Sequence, residues 1–96
     1  MRHLYLVTYD ITDDKRLKSV HKTMRGYGDR LQYSVFRCEL SNKEKFEMIG
    51  DLEGIIHHDA DQVLLIPLGP AGGETEHRIE ALGKPYTVLE RHAIVV

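Results

Sequence analysis

Ninety-six residues, 42% hydrophobic and 29% charged, exclude a disordered chain and leave room for only one core, so a single domain over residues 1–96 is expected. A net charge of −2 gives no global pull on phosphate, so any nucleic-acid contact must come from local clustering of charge. The lone Cys38 excludes an internal disulfide and fits a reducing, cytoplasmic setting, and no apolar run approaches the ~20 residues needed to span a bilayer.

Residues 3–10, HLYLVTYD, read as a strand rich in Leu, Val, Tyr and Thr. The short apolar start is interrupted by His3, Tyr5 and Thr8 and does not read as a signal peptide. Thr12 is expected to cap a helix over about 13–26, with Asp13 and Asp14 in its first turn. Gly26 and Gly28 supply the stop. Leu17, Val20, His21 and Met24 share one face of that helix at spacings of three and four. Lys15, Lys18, Lys22 and Arg25 form a basic ridge on the other side.

Residues 30–40, RLQYSVFRCEL, are extended, either as one long strand or as two short ones kinked near Ser34. Ser41 and Glu44 form a capping box that opens a second helix, with Phe46, Ile49, Leu52 and Ile56 expected on its inner face. QVLLIPLG reads as a buried strand, with Pro67 marking a sheet edge near its end. Gly69–Gly73 is a turn or loop, and 86–89 and 93–96 are short β-prone pieces. The last four residues, AIVV, are wholly apolar and call for docking on the chain's own sheet or a partner's.

The charge is unevenly distributed. Between Lys15 and Arg37 lie seven basic residues (Lys15, Arg16, Lys18, Lys22, Arg25, Arg30, Arg37) against one acid, Asp29. Between Cys38 and Asp61 seven acids face two lysines. Phosphates respond to such segregation within a Debye length of about 8 Å, so the basic stretch is the candidate nucleic-acid surface; it also fits a plain solvated face.

Asp10 is the candidate for chemistry. It fits a solvated acid at a strand end, and it also fits one ligand of a hard cation such as Mg²⁺, which prefers oxygen donors and keeps part of its water shell. One carboxylate is a poor site; a two-fold axis near the strand end would supply a second copy. His57 and His58 lack the separation usual for zinc ligands, and a solvated loop explains them. GPAGGETEHR lacks the Lys-Ser/Thr ending of a phosphate-binding P-loop. Cys38 has no partners for nucleophilic catalysis and fits internal packing.

VTYDITDD, then RLKSV over 16–20 and YGDRLQYSVF over 27–36, together resemble the Cas2 family of CRISPR-associated nucleases, small partners of the CRISPR integrase. The resemblance covers nearly the whole chain. It implies an α+β, ferredoxin-like βαββαβ sandwich, hence the kinked form of 30–40, and a homodimer whose C-terminal strands are exchanged onto the partner's sheet. Asp10 matches the family's metal-binding aspartate, implying one Mg²⁺ per dimer at the interface. Tyr9, Arg30 and Phe36 match positions around the catalytic site, whereas Arg16 and Lys18 are offset from arginines seen in some relatives. The expected function is therefore Mg²⁺-dependent endonucleolytic cleavage of RNA or DNA in spacer acquisition and antiviral defence. The alternative is a non-catalytic DNA-binding dimer that bridges integrase subunits. A small-molecule-sensing regulator of the same fold is the third reading.

Overall fold

The computed structural model describes residues 1–85; the β-prone pieces at 86–89 and 93–96 lie outside the described residues. Its elements run β1 (His3–Asp10), α1 (Asp14–Arg25), β2 (Asp29–Gln32), β3 (Val35–Leu40), α2 (Asn42–Glu53) and β4 (Gln62–Pro70), followed by a single 3₁₀ turn over Gly73–His77. The four strands form one sheet in the order β2-β3-β1-β4, antiparallel throughout. The extended stretch is thus kinked: Tyr33 and Ser34 make the turn between β2 and β3. No helix of the described residues is long and apolar enough to cross a membrane.

Alternation along β1 decides which side is core. Tyr5, Val7 and Tyr9 join Phe36, Cys38 and Leu40 of β3 beneath Val20 and Met24 of α1 and Met48 and Leu52 of α2. Leu6, Thr8 and Asp10 therefore project to the other, helix-free face. Cys38 packs in the core with no exposed surface.

Helix α1 is capped one residue later than expected. Asp13, not Thr12, accepts the backbone N–H of Arg16 at 3.0 Å, because the Thr12 hydroxyl and amide are committed elsewhere. The Ser41/Glu44 capping box of α2 is present. Phe46, however, is 74% exposed. Six residues turn a helix through about 600°, which leaves Phe46 roughly 120° away from Leu52, and Met48 takes the inward place instead. The Tyr27 hydroxyl ties the end of α1 to α2 by donating to Asp51 at 2.6 Å, which pushes its pKa up to about 12.

Strand β4 corrects a second expectation. It pairs only with β1 among the described residues, and Leu64 and Ile66 are 47% and 42% exposed. The edge position agrees with the expectation drawn from Pro67, whereas the expected burial does not hold along the whole run. Pro67 fits there, since an edge strand has one side whose N–H groups need no ladder partner. The strand also carries a bulge, with Leu68 unpaired between the Tyr5–Pro67 and Leu4–Gly69 pairs.

One close approach fixes the α1–β2 connection. A Cβ on Gly28 would collide with the Arg37 carbonyl oxygen and the Cys38 Sγ. Gly28→Ala is expected to lower stability by about 1–3 kcal/mol through overpacking, read as a lower urea midpoint at unchanged slope.

Candidate functional site

Asp10 ends β1 opposite Gln62 of β4, exposed on the helix-free face. Among the described residues it has no ion pair or side-chain hydrogen bond. Its neighbours on that face are Thr8 and, across the strand pair, Leu64 and then Ile66. The described residues contain no group of three or more His, Cys, Asp or Glu placed to hold a metal, at His57 and His58 or elsewhere. An oxygen donor that is exposed, unpaired and anchored on a strand suits a hydrated hard cation, as half of a site whose other carboxylate must come from elsewhere.

Tyr9 lies on the opposite side of the sheet from the acid next to it. Its ring stacks on Phe36 with centroids 6.2 Å apart, and both are buried under α1. His21 meets Phe36 edge-on at 5.5 Å, and its Nδ1 shares a 3.2 Å hydrogen bond with the Tyr9 hydroxyl. Burial holds the Tyr9 pKa up, partly opposed by Arg30. Burial also lowers that of His21, helped by Arg30 and Arg25. Arg30 pairs with Phe36 across β2 and β3, and it lines a cavity with Tyr9 and His21. Of the four residues expected around one catalytic centre, the structure joins Tyr9, Phe36 and Arg30 on the helix side and leaves Asp10 on the other.

The basic residues also divide. Lys15, Lys18, Lys22 and Arg25 are exposed along α1 as expected. Arg37 is not on that surface: it is 6% exposed and ion-paired with Glu76 of the 3₁₀ turn. The pairing follows from register, since Arg37 lies opposite Leu6 on the helix-free face, over which the 3₁₀ turn folds back. Glu76 supplies the counter-charge that a buried guanidinium needs.

Arg16 is likewise taken inward, by Asp61. Its Nε donates to Asp61 Oδ2 at 2.7 Å and its Nη2 to Oδ1 at 3.3 Å. The same carboxylate accepts the Thr12 amide at 3.0 Å, the Thr12 hydroxyl at 3.1 Å and the His57 amide at 2.8 Å. The Asp61 side chain has 0% exposure. This clamp joins the loop after Asp10 to the loop before β4. The Arg16 guanidinium, then the His57 amide, hold the Asp61 carboxyl far below the usual carboxylate range, against the opposing effect of burial. The folded pKa is thus depressed, so the unfolded chain binds more protons in the acid window. The stabilisation is present above about pH 4 and lost as pH falls toward the folded value. Thermal unfolding of wild type should therefore drop more steeply below that pH than unfolding of Asp61→Asn.

His21, Tyr33 and Asp61 carry more of the site than their sequence context suggested. His21 read as one member of an apolar stripe, and Asp61 as the end of the His57–Asp61 rival metal cluster and the residue before β4. The one local sign for Asp61 was an acid placed where a loop closes on a strand.

A four-stranded antiparallel sheet in this order, with two helices on one face, is the ferredoxin-like α+β sandwich. Within that class, the chain belongs to the CRISPR-associated Cas2 family: the family model described as CRISPR associated protein Cas2 matches residues 1–73. It is 44% identical over 94 residues to the CRISPR-associated endoribonuclease Cas2 1 of Rhodospirillum rubrum, covering 98% of this chain and 91% of that one. It is 38% identical to the CRISPR-associated endoribonuclease Cas2 of Geobacter sulfurreducens, over 100% of both chains. Its fold is similar to the crystal structure of Streptococcus pyogenes Cas2 at pH 6.5, with a TM-score of 0.71 and 33% identity over 83% of this chain and 99% of that one.

Proposed function

We propose that this chain is a CRISPR-associated nuclease: a homodimeric, Mg²⁺-dependent endonuclease that hydrolyses RNA or DNA during spacer acquisition, as one domain over residues 1–96. Relatives named endoribonucleases support the nuclease class. The observation that carries the finer reading is the position of Asp10, unpaired among the described residues at the border of an exposed apolar face bearing Leu64 and Ile66. A second copy seated on that face covers the apolar surface and brings a second Asp10 toward the first. Exchange of the C-terminal AIVV onto the partner's sheet belongs to the same proposal.

In this reading the two Asp10 carboxylates would hold the ion, while Arg30 and the α1 lysines, on the helix side of the sheet, hold phosphates of the strand away from the metal. When bound, Mg²⁺ polarises a phosphoryl oxygen and supplies an activated water. The test is cleavage of sequence-matched RNA and DNA with Mg²⁺ and with EDTA: product only with the metal is expected. One observation favours the adaptor reading, in which the dimer binds DNA and bridges integrase subunits. Lys15, Lys18 and Lys22 lie on α1, across the sheet from Asp10. Salt-sensitive duplex binding without cleavage under any metal condition would put that reading first.

A further inference from the structure

On the helix side of the sheet, α1 and the β2–β3 turn border an open-sided cavity of about 200 Å³. Its inner wall is Tyr9 and His21, and Leu17 gives it an apolar side. Tyr33, 69% exposed on the turn, stands at its mouth with Lys18, Arg30 and the acid Asp14. The turn is held to β1, since the Tyr9 amide donates to the Ser34 carbonyl at 3.1 Å. The exposed ring is therefore placed against the cavity by backbone and not by its own packing.

We infer that this cavity is a pocket for one unpaired nucleobase of a single strand, distinct from the face that carries Asp10. The inference rests on the nucleic-acid reading above and names the form of nucleic acid that the helix side takes. An exposed aromatic ring beside a cavity is a stacking platform, which any base can use. The space takes one ring system and no base pair. The Tyr9 hydroxyl and His21 offer hydrogen-bonding groups at the inner end; Nδ1 is engaged by Tyr9, which leaves Nε2 for a base edge. Lys18 and Arg30 on the rim suit the flanking phosphate, while Asp14 repels it from its own side and can accept from an exocyclic amine. Bases of a duplex are already paired and stacked, so they enter only at the cost of unstacking. The pocket thus selects single strands, loops or frayed ends.

The test measures binding in EDTA, which removes cleavage from the readout. The probes are a single-stranded RNA carrying 2-aminopurine and a blunt duplex of the same length. With wild type, 2-aminopurine fluorescence should be quenched on binding. Tyr33→Ala should abolish the quenching and weaken single-strand binding about 5- to 100-fold, with duplex binding changed less than about twofold. Tyr33→Trp should restore both signals. Because Tyr33 is on an exposed turn, thermal unfolding of the variants should match wild type. Single-strand binding unchanged by Tyr33→Ala, or equal losses for both probes, overturns the pocket and leaves the Asp10 reading standing. A wild-type protein that binds neither probe overturns both.

Discussion

Asp10→Ala should lower Mg²⁺-dependent cleavage by more than about 100-fold, while thermal unfolding and oligomeric state stay those of wild type. The two halves of that result have separate causes. Asp10 is exposed and makes no ion pair or side-chain hydrogen bond with a described residue, so the fold loses little with its carboxylate. Loss of even an outer contact to a metal ligand typically costs about 10–100-fold, and in the proposed dimeric site one substitution would remove both direct carboxylates. A mixed dimer with one intact acid should fall between the two homodimers. Metal titration of the residual rate adds a check: a weakened site responds to more Mg²⁺, an absent one does not. An Asp10→Ala protein that cuts as fast as wild type sinks the assignment.

Phe36→Ala should lose activity as well, by unfolding. Phe36 has no exposed surface and lies between the rings of Tyr9 and His21. Truncating such a residue costs about 3–5 kcal/mol, a large share of the roughly 5–15 kcal/mol that holds a domain together. In a domain this small that lowers Tm by about 12 °C or more. Phe36→Leu keeps most of the volume and should keep both fold and cleavage. Cleavage rates of the two variants should therefore track their folded fractions, measured by circular dichroism at the assay temperature. If Phe36→Leu folds like wild type yet does not cut, the ring contributes to the chemistry directly.

Much of the architecture was legible because period and capping act locally. The apolar stripe of α1, the Ser41/Glu44 box and the aromatic, β-branched strands each follow from a few neighbouring residues. The misplaced details depend on distant ones. Phe46 looked inward because its spacing to Ile49 is helical, but which face of α2 meets the sheet is set by Met48 and Leu52 touching β3 and α1. QVLLIPLG looked buried because its residues are apolar; Pro67 pointed to the edge, but only the structure shows Leu64 and Ile66 exposed there. The exposed place of Asp10 at the strand end and the exposed lysines of α1 could be read directly from type and spacing. Arg16 and Arg37 could not, since their partners Asp61 and Glu76 are 45 and 39 residues away. The Tyr33–His21–Tyr9 cavity had no local signature, because it is assembled from a strand, a helix and a turn.

The alternation of β1 has a consequence for insertions and deletions. Removing one residue between Leu6 and Tyr9 would turn the end of the strand over in the sheet. The phenol would then stand in water, and a carboxylate would take its place beside His21 and Arg30 under α1, giving up the ring stacked on Phe36 and leaving the space it filled empty. A substitution in this stretch leaves its neighbours on their own faces, whereas a change of its length by an odd number moves every later side chain to the other one.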